Sequence, residues 1–167
     1  MIGYIVVVLG VLFAILAWPS KASGSVKPPA GGTDNSIETL IARTARIYGV
    51  EYALLKAHAF VESSLNPNAV NASDPSYGLM GITPQLAQDY GFVEDYHNPS
   101  ASEIARLKDP ETNLQIGARF IRYLHDKYLF DIAVQMYNCG EHGYNADGVR
   151  VPNYLAKVKR YYNEFRA

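Results

Sequence analysis

The chain has 167 residues, a formal net charge of -1, four histidines and a single cysteine, Cys139. The length suits one ordinary domain, and the near-neutral charge gives no electrostatic footprint for nucleic acid, so we expect no nucleic-acid partner. One cysteine excludes an internal disulfide. The histidines share no ligand spacing, so we predict neither a metal site nor a cofactor.

The first 18 residues, MIGYIVVVLGVLFAILAW, carry no charged side chain. As a helix they would span roughly 27 Å at ~1.5 Å per residue, close to the thickness of a bilayer core. We therefore predict an N-terminal hydrophobic helix and interpret residues 1–19 as a transmembrane anchor or a signal sequence. The missing basic n-region favours an anchor retained in the membrane through residues 1–18. Ser20 and Ala22 suit signal cleavage, and both interpretations stay open.

Residues 20–33 are rich in Ser, Gly and Pro and show no apolar periodicity, which predicts a flexible linker. A globular domain is predicted for residues 34–167. Asn35 followed by Glu38 is typical of a capping box, and it opens a helix that ends at Gly49. The next helix, from about Glu51 to Ser63, is apolar on nearly every face, which predicts a central, buried position.

The later part of the chain carries similar start and stop signals. They predict helix starts at Thr83, Ser100 and Asp109, a shorter helix from about Asp131 to Asn138, and a final amphipathic helix from Asn153 to Phe165. The glycine-rich stretch CGEHGYNADGVR predicts a loop. No alternating strand of convincing length is present, so the fold class is predicted to be mainly α.

Glu62 lies in the last turn of the apolar second helix. Removal from water and the partial negative charge of a helix C-terminus both raise the pKa of a carboxyl group. A carboxylic acid that stays protonated near neutral pH can donate a proton to a glycosidic oxygen. The competing interpretation is an exposed or Arg-paired glutamate, because most glutamates at helix ends have no catalytic role.

Five short motifs stand in a recognisable order: VESSLNP, SYGLMGITP, DPETNLQIGARFI, AVQMYNCG and PNYLAKV. In order and approximate spacing they resemble the lytic transglycosylase family with the goose-type lysozyme-like fold. The resemblance covers most of residues 34–158. It implies a helical, lysozyme-like domain with a substrate cleft.

The resemblance also implies roles for single residues. Glu62 matches the family's one catalytic acid/base, and Tyr137 matches a tyrosine whose hydroxyl points at that glutamate. Asp74, twelve residues after Glu62, is a possible second carboxylate. The positions that the resemblance assigns to substrate binding are Ser63, Gly78, Leu79, Met80, Gly81 and Asn138. The family usually has Gln where this sequence has Gly81, and Ala where it has Cys139. Glu111 and Asn113 match a region at the start of the long helix that is mainly structural.

The implied reaction cleaves the MurNAc-β-1,4-GlcNAc bond of peptidoglycan without water and leaves 1,6-anhydroMurNAc ends. Two alternatives stay open: a muramidase that uses Glu62 with Asp74, and a non-catalytic peptidoglycan-binding component of a virion or secretion machine. The expected partners are peptidoglycan glycan strands and, in the last case, other virion or secretion-machine proteins. The segment from Val134 to Val158 looks most like that of phage virion enzymes. The expected site of action is the periplasm or cell wall.

Overall fold

A computed structural model of the chain describes residues 36–167. The anchor or signal sequence predicted for residues 1–19 and the linker predicted for residues 20–33 lie outside the described residues. Within residues 36–167, no helix combines the length and the apolar character needed to cross a bilayer.

The described residues form seven helices and one short hairpin, in agreement with the mainly α prediction. In chain order these elements are α1 (Ile37–Tyr48), α2 (Tyr52–Ser63), β1 (Val70–Asn71), β2 (Ser76–Tyr77), α3 (Pro84–Asp89), α4 (Ala101–Lys108), α5 (Pro110–Lys127), α6 (Phe130–Asn145) and α7 (Pro152–Arg166).

The helix ends follow the capping signals, with one shift. Ser36, and not Asn35, caps α1, because its side-chain oxygen accepts the backbone N–H of Thr39. Ser100, a predicted helix start, caps α4 and forms a capping box with Glu103. Thr83 and Asp109 cap α3 and α5, and each is followed by a proline at the first helical position.

The antiparallel hairpin was not predicted, since its two strands contain only two residues each. Val70 pairs with Tyr77 and Asn71 pairs with Ser76. Strands this short show no alternation of apolar and polar residues, which is the signal that sequence analysis depends on. The turn between them, residues 72–75, carries Asp74.

Helix α6 is longer than predicted. The sequence placed its end at Asn138, whereas the structure continues to Asn145 with a non-helical residue inside, Gly140, at φ 74° and ψ 157°. Glu141, just after this break, accepts hydrogen bonds from Tyr123 and Lys127 of α5, each at 2.8 Å. These bonds hold the second part of α6 against α5, so a glycine-rich segment becomes helical.

Helices α2 and α5 supply much of the buried core. As predicted, α2 is central: Leu55, Ala57 and Ala59 have no exposed surface, and Ala53 and Leu54 in its first turn are also buried. One face of α5 is buried from Leu114 to Leu124. With α7 packed along α2, the last turn of α2 is held in one position. The core therefore fixes where the side chain of Glu62 emerges.

Candidate active site

A cleft of about 950 Å³ is lined by residues from the end of α2, the hairpin, α3, α5 and α6. Several residues singled out in the sequence lie along it, although they are far apart in the chain. They are Glu62, Asp74, Gly81, Tyr137 and Asn138. The fold thus brings the predicted acid, the possible second acid and part of the predicted substrate-binding set to one surface.

Glu62 combines a buried environment with access to the cleft. Burial raises the pKa of its carboxyl from the ordinary 4.5 to about 7, and a hydrogen bond from Tyr154 opposes part of that rise. The protonated and ionised forms are therefore both populated near neutral pH. A carboxyl group of this kind can give up a proton and take one back within a single reaction.

Tyr154 of α7 is the hydrogen-bond partner of Glu62. Its hydroxyl donates to Glu62 Oε1 at 2.6 Å and lies 3.0 Å from Nδ1 of His58. Sequence analysis did not assign Tyr154 to the site, although this tyrosine stands in the motif PNYLAKV. This motif contributed to the family resemblance, and its tyrosine was the sequence feature from which the residue could have been assigned to the site.

Tyr137, whose hydroxyl the resemblance directs at Glu62, has a different hydrogen-bond partner. Its hydroxyl donates to the backbone carbonyl of Met80 at 2.8 Å, and its ring lies 4.5 Å from the ring of His58. The hydroxyl that donates to Glu62 Oε1 is that of Tyr154. Tyr137 still lines the cleft, and it fixes the loop that follows β2.

The side chains of Ser63, Leu79 and Met80 position the loop that follows β2, and their predicted role in binding substrate stays a prediction. Leu79 and Met80 have no exposed surface. The Ser63 hydroxyl lies 3.0 Å from the carbonyl oxygen of Ala59 and 2.9 Å from that of Leu79. The apolar side chains of this loop fill the space between α2 and α5, and Ser63 ties the loop to the end of α2.

Asn113 anchors the same loop from the start of α5. Its side-chain oxygen accepts the N–H of Met80 at 2.7 Å, and its amide nitrogen donates to the carbonyls of Tyr77 and Leu107 at 2.7 and 2.6 Å. Gly78 is required here, because a Cβ at that position would lie 2.4 Å from the Asn113 amide nitrogen. Gly78 therefore acts through the loop backbone and not as a cleft surface.

Gly81 lies directly against the carboxyl of Glu62. A Cβ built at this position would lie 2.5 Å from Glu62 Oε2, and the backbone has a φ of +58°. Both observations favour glycine, the second because left-handed backbone is costly for other residues. In this chain the carboxyl of Glu62 occupies the space that a side chain at position 81 would need.

The rest of the cleft surface is acidic and aromatic. Asp74, Asp89, Glu141 and Asp147 line it together with the rings of Tyr90, Phe120 and Tyr123, and no lysine or arginine is among the described lining residues. Asp74 and Asn138 are both exposed. Aromatic rings with carboxylates suit a neutral polyhydroxylated ligand better than a polyanion.

Metal ligands are not assembled in the described part of the chain. Across residues 36–167, no group of three or more His, Cys, Asp or Glu side chains could hold a metal ion.

Most of the described chain matches one protein-family model. The family model described as "Transglycosylase SLT domain" matches residues 39–158. "Membrane-bound lytic murein transglycosylase E" of Buchnera aphidicola is 39% identical over 92 residues, which are 54% of this chain and 40% of that protein. "Membrane-bound lytic murein transglycosylase C" of Photorhabdus laumondii is 34% identical over 93 residues, 56% of this chain and 26% of that protein. The chain thus spans less than half the length of these relatives.

A solved structure also resembles the chain. It is the X-ray structure of an inactive mutant of the lytic transglycosylase Slt from Pseudomonas aeruginosa, with a TM-score of 0.50 and 19% sequence identity. The similarity covers 76% of this chain and 21% of that one. At this level of identity it shows a shared fold, and the fold predicted from the sequence motifs is confirmed.

Proposed function

The chain belongs to the family of transglycosylase SLT domains, and on this basis we propose that it is a peptidoglycan lytic transglycosylase with Glu62 as its one acid/base. The observation that carries the proposal is the carboxyl of Glu62 in the cleft, with a pKa raised by burial to about 7. The relatives called lytic murein transglycosylases support the same substrate class.

In the first step, protonated Glu62 donates its proton to the bridging oxygen of a MurNAc-β-1,4-GlcNAc bond, and the bond to C1 of MurNAc breaks. The N-acetyl group of the same sugar stabilises the positive charge that develops at C1. In the second step the 6-hydroxyl oxygen bonds to C1, and the Glu62 carboxylate takes the hydroxyl proton. The acid is restored, a 1,6-anhydroMurNAc end forms, and no water is consumed.

The surroundings of Glu62 favour both of its forms in turn. Burial stabilises the neutral acid that begins the cycle, whereas the Tyr154 hydroxyl donates to the carboxylate that exists between the two steps. Because these effects oppose each other, the carboxyl keeps a pKa near the pH at which it must work. A single residue can then serve as acid and as base.

The direct test is to incubate the purified full chain with peptidoglycan and identify the released fragments by mass spectrometry. We expect muropeptides with anhydro ends, and a loss of at least about 100-fold in rate for Glu62→Gln, since general acid catalysis contributes at least that much. Glu164→Gln makes the same chemical change at an exposed position of α7 and serves as the matched control. A Glu62→Gln protein with the rate of the unchanged chain would refute the assignment.

A muramidase is the second candidate, because Asp74 and Glu62 line the same cleft. A hydrolase would add water and release fragments with reducing ends, heavier than anhydro fragments by one water molecule. It would also depend on Asp74 as the base or nucleophile. We expect anhydro products that persist in Asp74→Asn. Reducing ends that disappear in Asp74→Asn would favour the muramidase, and no product at all would favour a non-catalytic binding component.

The place of action is inferred from the relatives' names and the first 18 residues. We infer that the enzyme acts at the bacterial cell wall and associates with a membrane through residues 1–18. Removal of residues 1–19 should move the protein out of the membrane fraction of expressing cells. If both forms fractionate alike, residues 1–18 do not anchor the chain. Association with other virion or secretion-machine proteins stays a prediction.

A further inference from the structure

His58 is a buried titratable residue that the proposed reaction does not use. It lies on α2, four residues before Glu62, so the two side chains are on the same face of the helix. Its ring has no exposed surface. An ionisable ring in a core costs free energy unless it forms hydrogen bonds, so its contacts are informative.

The ring belongs to a short hydrogen-bond chain that ends at Glu62. Nδ1 of His58 lies 3.0 Å from the Tyr154 hydroxyl oxygen, and that oxygen lies 2.6 Å from Glu62 Oε1. A tyrosine hydroxyl has one proton to donate. When that proton is directed to the Glu62 carboxylate, the hydroxyl can only accept from His58, so Nδ1 must carry the ring hydrogen.

The other ring nitrogen agrees with this tautomer. Nε2 of His58 is buried and has no hydrogen-bond partner among the described residues. With the hydrogen on Nδ1, the unpaired atom is a bare acceptor, which avoids a buried N–H without an acceptor. The ring hydrogen is thus used in the one contact that leads to Glu62.

The groups around the ring keep it neutral. The ring is faced by Tyr137 from α6, by Tyr154 from α7 and by His125 from α5, and Glu62 is reached through Tyr154. Burial, with a smaller contribution from His125, lowers the pKa of His58 from 6.5 to about 3. His58 therefore donates a hydrogen bond without changing charge across the pH range in which Glu62 titrates.

We propose that His58 is a positioning residue for Glu62, whose Nδ1–H holds the Tyr154 hydroxyl so that the hydroxyl proton points at the Glu62 carboxylate. The inference rests on the proposed function, in which Glu62 is the acid/base. Its effect is on the ionised form that exists between the two proton transfers. Without His58 the Tyr154 hydroxyl is free to turn away, and the carboxylate loses part of its stabilisation.

Two variants separate positioning from packing. His58→Leu has a similar volume but no hydrogen bond, and it should fold at least as stably because it removes the unpaired Nε2. His58→Asn keeps a polar group that can donate near the position of Nδ1. We expect His58→Leu to lower kcat about fivefold with KM unchanged, and to move the alkaline limb of the pH profile upward by about 0.5 to 1 unit, the equivalent of one hydrogen bond. In His58→Asn, kcat and the position of the alkaline limb should both lie closer to the values of the unchanged chain.

The second measurement does not depend on activity. Nitrogen-15 NMR of the purified full chain should show His58 neutral with hydrogen on Nδ1, and carbon-13 NMR of the Glu62 carboxyl should titrate at higher pH in His58→Leu. Hydrogen on Nε2, or a Glu62 titration that does not change in His58→Leu, would overturn the proposal. If the unchanged chain releases no anhydro fragments, the proposed function fails, and the two NMR results still decide the positioning role.

Discussion

Among single residues, Gly81 differs from the family pattern and lies directly against the carboxyl of Glu62. The family usually has Gln at this position. In this chain the space beyond the Gly81 backbone already holds the Glu62 carboxyl, with 2.5 Å between a built Cβ and Oε2. The position and orientation of the acid therefore depend on a residue that has no side chain.

Gly81→Gln should reduce the rate of peptidoglycan cleavage at least about tenfold, because the new side chain must displace the Glu62 carboxyl and near-attack geometry is sensitive to small shifts. The measurement is the initial rate of anhydro-fragment release. Gly91→Ala is the matched control: its φ is +78°, and a Cβ there meets nothing within 4 Å. Alanine there has the same unfavourable left-handed backbone, which costs about 1 to 2 kcal/mol, but its Cβ meets no neighbouring atom. A fully active Gly81→Gln enzyme would contradict the steric account.

The pH dependence of cleavage should report the same carboxyl. The first step needs protonated Glu62, whose pKa is raised by burial to about 7. The value of kcat/KM should therefore be constant below that pH and fall about tenfold per unit above it. The profile is measured between pH 5 and 9, with circular dichroism at each pH to confirm folding. A rate that rises through pH 7 would indicate that an ionised carboxylate begins the reaction.

At the scale of elements, the start of α5 determines the shape of the cleft wall. The Asn113 side chain accepts a hydrogen bond from the N–H of Met80. It also donates to the carbonyls of Tyr77, at the end of β2, and Leu107, at the end of α4. The residue was expected to be mainly structural, and these three bonds describe that role. The loop in turn carries Gly81, so Asn113 of α5 helps to position a cleft residue through the loop backbone.

Asn113→Ala should lower the free energy of unfolding by about 2 kcal/mol or more, because it leaves the buried N–H of Met80 and carbonyl of Leu107 without partners. The carbonyl of Tyr77 keeps its hydrogen bond from the N–H of Ile82. Urea unfolding followed by circular dichroism measures the change. Glu111→Ala is the control on the same turn of α5: it removes only an exposed ion pair with Arg43, at 2.9 Å. That change should cost less than about 1 kcal/mol. Equal effects of the two variants would contradict the anchoring role.

The break in α6 shows where local sequence patterns lose their predictive value. Glycines at 140 and 143 predict a loop from local propensity, and Gly140 does interrupt the helix. The helix resumes because Glu141 is held by Tyr123, Lys127 and Tyr128 of the preceding segment. Lys127 and the tyrosine hydroxyls also lower the pKa of Glu141 to about 2. Tertiary contacts here outweigh local propensity.

At the scale of the whole molecule, the buried acid should lower the stability of the fold at high pH. The pKa of Glu62 is about 7 in the folded protein and near its ordinary 4.5 when unfolded. A pKa raised by folding contributes stability that is complete below pH 4.5 and is lost as the pH rises through 7. The full loss is about 3 kcal/mol. The active site is thus maintained at a cost to the fold.

Glu62→Gln removes this titration, so its free energy of unfolding relative to the unchanged chain should increase by about 3 kcal/mol between pH 4.5 and pH 8. Urea unfolding at the two pH values gives the difference. The buried His58, whose pKa is lowered to about 3, titrates in both proteins and cancels in the comparison. Glu164→Gln should show no such growth. A constant difference for Glu62→Gln would mean that folding does not raise the pKa of Glu62.

The helical fold class, the caps of α3, α4 and α5, and the position of Glu62 in an apolar helix could all be predicted from the sequence. These are local properties: a cap depends on a few neighbouring residues, and an apolar helix can be recognised within its own turns. The ordered motifs added the family. All of this information comes from neighbouring residues or from the order of the motifs along the chain. Neither requires knowledge of distances in space.

Which groups meet depends on the tertiary structure. Tyr154 lies 92 residues after Glu62, and its contact with Oε1 depends on how α7 packs on α2. The Tyr137 hydroxyl donates to the carbonyl of Met80, 57 residues away, and Nδ1 of His58 lies 3.0 Å from the Tyr154 hydroxyl. Contacts between distant segments depend on packing angles and side-chain rotamers, which no local pattern encodes. The acid could therefore be found in the sequence, but its hydrogen-bond partners could not.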